Sequence, residues 1–187
     1  MNRIQRKIYY FITQTVYKWR FCHIGKRTVI VSPLQLDNVK SISLENDVLI
    51  SDGAWLMGSN ELSQTLRIGE HTTIGHLFHI VAISNIIIGK NVLIADRVFI
   101  SDCTHGFEDI TVPIKVQEVL VIGKVSIGDD TWIGENVCVC GHSIGKHCII
   151  GANSVVNKDI PDFTVAAGNP IRLIKKYDIE TNTWRRI

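Results

Sequence analysis

Residues 127–156 read IGDDTWIGENVCVCGHSIGKHCIIGANSVV, and an aliphatic residue returns at every sixth position: Ile127, Ile133 and Val139, then, after one slip, Ile144, Ile150 and Val156. The same beat runs far upstream, through Leu44, Ile50, Leu56, Leu62, Ile68, Ile74, Ile80 and Ile86, and after a two-residue shift through Ile88, Ile94 and Ile100. A six-residue repeat of this kind describes a solenoid in which each short strand lays one aliphatic side chain into a stack shared with the coils above and below. Three hexads close one triangular coil, so the regular part makes roughly six to seven coils.

The residues between the anchors agree. Gly follows the anchor at Gly69, Gly75, Gly89, Gly128, Gly134, Gly145 and Gly151, as suits a tight corner where the backbone turns or approaches the next coil. Two positions before the next anchor stand Thr72, Val92, Val98, Thr131, Val137, Cys148 and Ser154, small or β-branched as the inside of a narrow prism requires. The beat fails once, between Ile100 and Ile127, and then resumes. That interruption is expected to loop out of the prism over about 101–120, and loops on a rigid scaffold are where function concentrates.

The two ends differ from the middle. Within residues 2–20, Ile4, Ile8, Phe11, Ile12, Val16 and Trp19 share one helical face, while Arg3, Arg6, Lys7, Lys18 and Arg20 lie elsewhere on the helix. The plainer reading packs the apolar face on the chain's own coil or on a neighbouring subunit; the alternative rests it on an anionic membrane surface. Beyond Val156, Pro161 and Pro170 punctuate the exit from the solenoid, and a short C-terminal helix is expected in the basic tail. The division is therefore 1–28 amphipathic helical segment, 29–160 β-helix with its loop, and 161–187 C-terminal extension.

Composition narrows the classes. A 187-residue chain that is 45% hydrophobic can bury a core of one domain. A formal charge of +2 is too mild to argue for nucleic acid. Five cysteines, an odd number, with no uninterrupted apolar leader, lead us to expect reduced thiols in the cytoplasm, and no apolar run reaches membrane-spanning length.

With the hexads, the interrupting segment Ser101-Asp102-Cys103-Thr104-His105-Gly106 and the exit segment Asn157 to Pro170 in hand, the chain resembles the hexapeptide-repeat acetyltransferases. Within them it is most similar to the bacterial lipopolysaccharide (O-antigen) O-acetyltransferases, with maltose and galactoside O-acetyltransferases more distant. The resemblance covers about residues 65–187. It implies a mainly β fold, a left-handed parallel β-helix, assembled as a homotrimer with active sites between subunits, and acetyl-CoA as the acetyl donor with no metal.

His105 then occupies the place of the family's general base. An alcohol is almost wholly protonated at neutral pH, and an imidazole, with its pKa near ~6.5, suits the removal of that proton as the new C–O bond forms. A main-chain carbonyl, Asp102 or Glu108 is expected to orient the ring, in that order of preference for the first two. The resemblance places Trp132 beside the pantetheine arm, Glu135 and Ala152 along the same groove, and Asn157, Lys158, Arg172 and Lys175 near the adenine and phosphates, where cations meet the charge of coenzyme A. His79, Ser84 and Asn85 are the neighbours in register for a carbohydrate acceptor.

Two departures stand out: Cys140-Gly141-His142-Ser143 is one residue short of the family's pattern, and Cys103 replaces a second histidine. Three rival readings accompany this one. The first is an N-acetyltransferase of an aminosugar nucleotide. The second is a γ-type zinc carbonic anhydrase using His71 with His76 and His142 with His147. The third is a non-catalytic β-helical module.

Overall fold

The computed structural model describes residues 3–187. Three parallel sheets form the faces of a prism, and each turn of the chain contributes one strand to each face in order. The first face runs from His23–Ile24 to Val125–Ile127 and continues by single bridges through Ile144 and Ile160. The second runs from Val29–Ile30 to Thr164–Ala167, and the third from Gln35–Asp37 to Val155–Val156. The winding thus begins at His23, ahead of residue 29.

Register explains why the sixfold beat works. On the second face Ile30, Ile50, Ile74, Ile94, Ile133, Ile150 and Ala166 stand in one column of directly paired residues, each with no more than a trace of exposure. Burying each aliphatic side chain contributes about 1.5–3 kcal/mol relative to exposure, so the column is a major source of cohesion along the axis. Thr72, Val92, Val98, Thr131, Val137, Cys148 and Ser154 are all buried beside the anchors.

The glycines after the anchors fulfil the second of their two expected roles, close approach to the next coil, and not the first. The left-handed corner conformation falls two residues later, at His71, Asn91, Asp130 and His147 on one edge and at Arg97, Asn136 and Asn153 on the next. The glycines instead allow close approach of coils: a Cβ on Gly128 would lie 2.3 Å from the Lys146 nitrogen.

The coils are unequal, and this corrects one anchor. From Ile50 to Ile74 the chain takes 24 residues where its neighbours on either side take 20. The excess forms a second outward loop after Trp55–Met57, and Leu62 sits in it, 49% exposed. Leu62 keeps the beat without being an anchor. Passing from Ile94 to Ile133 takes 39 residues, which accommodates the large arm, and from Ile133 to Ile150 only 17, which accommodates the shortened Cys140–Ser143 corner.

Both ends also correct the expectation. The C-terminal extension has no helix: Arg172–Asp178 and Thr183–Arg186 form an antiparallel hairpin added to Thr164–Ala167. Asp178 builds its turn by accepting from the Glu180 and Thr181 amides at 3.0 and 3.3 Å, and Tyr177 meets Trp184 across the strands, ring centroids 5.4 Å apart. The N-terminal helix, Arg3–Thr15, packs through polar residues. Buried Thr13 accepts a 3.0 Å hydrogen bond from the Ile30 amide, and Gln14 donates to the carbonyls of Gly25 and Thr28 at 3.1 and 3.2 Å. These bonds satisfy backbone groups along the open edge of the first coil, which would otherwise template further strands. Apart from half-buried Ile12, the apolar stripe does not pack on the chain's own coil: Ile4, Ile8, Phe11, Val16 and Trp19 are exposed.

Candidate active site

The interruption after Ile100 becomes an arm. Cys103–His105 and Val119–Val121 pair antiparallel, with His105 opposite Val119. At the root, Asp102 is fully buried, and its carboxylate accepts the amides of Ile83 at 3.0 Å and of Ser84 and Asn85 at 2.8 Å. Farther out, Gln117 donates to the carbonyls of Asp109 and Val112, so the tip is tied to itself.

The arm and the 58–62 loop flank a cleft of about 830 Å³ on the third face. His105 and Glu118 line it from the arm, Ser59 to Leu62 from the loop, and Trp55, His79 and Ser84 from the face itself. The floor is aromatic: His79 stacks on Trp55 with centroids 4.3 Å apart and planes 10° from parallel, and meets Phe99 at 4.9 Å. These three rings stand side by side because Trp55, His79 and Phe99 are paired residues on successive strands. Nε2 of His79 is buried without a hydrogen-bond partner, and burial lowers the pKa of the ring, favouring the neutral form.

The imidazole of His105 is exposed and takes no hydrogen bond from the described residues. Asp102 makes no hydrogen bond to that ring: its carboxylate is occupied by the three main-chain amides of Ile83, Ser84 and Asn85. The preferred main-chain carbonyl does not reach the ring within one chain either. Glu108 is exposed away from the cleft lining, whereas Glu118, which the sequence reading passed over, borders the same cleft.

The residues assigned to the donor lie elsewhere. Trp132, 49% exposed, stands on the second face in a row that continues through Ile149 and Val165 to Lys175. Glu135 and Ala152 follow at the edge between the second and third faces, with Glu135 ion-paired to Arg97. Arg172 pairs with Ala167 on the terminal hairpin, while Asn157 and Lys158 are exposed beyond the last third-face strand. An exposed indole leading along one face to a cationic hairpin suits a long ligand with an apolar middle and an anionic end. It is a different face from the one that holds His105. Ser84 reaches the cleft, but Asn85 does not line it.

The histidine pairs of the zinc reading are separated. His71 lies 3.7 Å from Asp47 at one edge of the prism and His76 pairs with Asp52 at the next. His142 approaches Asp159 at 3.5 Å, whereas His147 faces the Phe163 ring. Among the described residues no group of three or more His, Cys, Asp or Glu is placed to hold a metal ion.

Comparison with known proteins agrees with this architecture. The family model for the bacterial transferase hexapeptide (six repeats) matches residues 124–158. Escherichia coli K12 WbbJ, which carries the name of a lipopolysaccharide-biosynthesis O-acetyl transferase, is 39% identical over 124 residues, 63% of each chain. Galactoside O-acetyltransferase of the same organism is 31% identical over 152 residues, 77% of this chain and 71% of the relative. The structure of the Vibrio cholerae hexapeptide-repeat acetyltransferase VCA0836, solved with acetyl coenzyme A, superposes with a TM-score of 0.61 at 26% identity, covering 94% of this chain and 87% of that one. The chain spans 63% of WbbJ, 37% of a Mycobacterium tuberculosis relative and 65% of a Saccharomyces cerevisiae relative. With the repeat, the three-faced prism and the galactoside O-acetyltransferase match all in agreement, the chain belongs to the bacterial hexapeptide-repeat transferases.

Proposed function

We propose that the protein is an acetyl-CoA-dependent O-acetyltransferase that moves acetyl to a hydroxyl of a sugar, in a surface polysaccharide of the lipopolysaccharide O-antigen type or its precursor. The observation that carries this reading is the exposed imidazole of His105 on the rim of an aromatic-floored cleft. The names of WbbJ and galactoside O-acetyltransferase support the acceptor class, and the acetyl-CoA complex of VCA0836 supports the donor.

In this reading His105 takes the proton of the acceptor hydroxyl as its oxygen attacks the thioester carbonyl. Collapse of the tetrahedral intermediate breaks the C–S bond, and the imidazolium returns its proton to the departing thiolate. No acetyl-enzyme forms. Because Trp132 and His105 occupy different faces of one chain, a complete site takes the second face of a neighbour, and we propose the homotrimer on that ground. The arm's exposed apolar residues, Phe107, Ile110 and Val116, are further surface that an assembly would cover. The cytoplasm, where acetyl-CoA is made, is the proposed location.

The test is an acceptor screen with acetyl-CoA, read by mass spectrometry of the product, alongside His105→Ala. The variant should lose turnover while retaining coenzyme A affinity. An unchanged rate would remove His105 from the mechanism, and acetylation of amines alone would replace the O-acceptor with an aminosugar.

A further inference from the structure

The N-terminal helix presents opposite properties on its two sides. Its inner side is Thr13 and Gln14, bonded to the open edge of the first coil. Its outer side carries Ile8, Phe11 and, beyond the last turn, Val16 and Trp19, with Phe11 67% and Trp19 83% exposed. On a helical wheel Ile8 and Phe11 lie about 140–160° from Thr13, so the apolar stripe points away from the prism.

Charge selects the occupant. Residues 2–20 contain Arg3, Arg6, Lys7, Lys18 and Arg20 and no Asp or Glu. Among the described residues Arg3, Lys7, Lys18 and Arg20 form no ion pair with a carboxylate, whereas Arg27 nearby is paired to Asp47. A second copy of the same helix would bring like charges together, but an anionic surface neutralises them. No described helix is long and apolar enough to cross a membrane, and thirteen residues span only about 20 Å. Apolar on its outer side and followed at once by exposed Lys18, Trp19 and Arg20, the segment has the features of one that lies in the headgroup layer.

We propose that this helix docks the protein on an anionic lipid bilayer, with Ile8, Phe11, Val16 and Trp19 inserted and the exposed Lys18 and Arg20 against the headgroups. The proposal is independent of the acetyl-transfer reading. The test is co-sedimentation of the full chain with vesicles of phosphatidylglycerol and phosphatidylcholine, against pure phosphatidylcholine, at low and high salt. Binding should require phosphatidylglycerol and weaken with salt. The Ile8→Glu/Phe11→Glu chain should bind at least tenfold more weakly, and so should Lys18→Glu/Arg20→Glu, which alters no residue of the helix proper. Both should keep the parent melting temperature, because none of the four side chains touches the core.

Absence of binding to the anionic vesicles, or equal binding by the parent and both variants, would overturn the proposal. So would a change of oligomeric state in Ile8→Glu/Phe11→Glu without loss of vesicle binding, which would assign the stripe to another copy of the chain.

Discussion

Asp102 accepts a 2.8 Å hydrogen bond from the amide of Ser84, and this contact fastens the root of the His105 arm to the corner of the preceding coil. The neighbouring amides of Ile83 and Asn85 complete the arrangement around a carboxylate with no exposure. Asp102→Asn keeps one acceptor oxygen and turns an NH₂ group toward a main-chain donor, so it should cost about 1–3 kcal/mol. Asp102→Ala leaves three amides without their acceptor and should cost more, about 3–5 kcal/mol. Denaturant unfolding of the two variants checks the order. Equal stability of both with the parent would mean that the arm is anchored elsewhere.

His79, on the cleft floor, holds a buried polar atom of a different kind, and here the prediction runs the opposite way. Its Nε2 lacks a partner, and a buried polar atom without one is a cost that an apolar ring of similar shape avoids. His79→Phe preserves the stack on Trp55 and should leave stability unchanged or raise it by up to about 1 kcal/mol. If a hydroxyl of the acceptor supplies the missing hydrogen bond, the same variant raises the acceptor KM about tenfold and leaves the KM of acetyl-CoA alone. Steady-state kinetics with each substrate varied separates the two constants.

The fold is legible because the inward positions have one requirement, small or aliphatic, and repeat it: the place of Cys148 in the beat marks it as core, and it is buried there. The site is less so. Leu62 kept the sixfold spacing because the second loop adds residues without breaking the count, and periodicity cannot distinguish an anchor from a loop residue that falls on the beat. Trp55 and Glu118 were missed for a different reason. Their place in the cleft depends on which strands lie side by side, and the pairing Trp55–His79 crosses a coil whose length is not readable from the spacing. One signal was available: an aromatic ring immediately before the anchor recurs at Trp55, His79 and Phe99. The terminal hairpin was misread because Arg172 to Asp178 lies largely on the surface and shows no clean two-residue alternation.

Gly128 tests the claim that the post-anchor glycines serve coil approach. An added Cβ would meet the Lys146 nitrogen at 2.3 Å and the Gly145 carbonyl carbon at 2.6 Å, both main-chain atoms that cannot rotate away. Gly128→Ala should destabilise the prism by about 1–3 kcal/mol or more. In a chain of this size that lowers the melting temperature by several degrees. A melting curve unchanged from the parent would show that the coils separate here at little cost.

Cys138 and Cys140 project from the same side of one strand, on either side of buried Val139, with their sulfurs 3.6 Å apart. A hydrogen bond from the Cys140 thiol favours the Cys138 thiolate and brings Cys138 down to about 7, while Cys140, left holding the shared proton, is pushed up. Burial raises Cys103 and Cys148 as well. The thiolate is the nucleophile, so between pH 6 and 8 iodoacetamide should modify Cys138 well ahead of Cys103, Cys140 and Cys148, with a rate that climbs through pH 7 and then levels off. Cys140→Ala removes the donor and leaves only burial acting on Cys138, so its midpoint should rise out of the neutral range to the ordinary thiol range or above it. Peptide mapping of the alkylated protein reads both results. A Cys138 midpoint that Cys140→Ala leaves unmoved would show that the neighbouring thiol is not its cause.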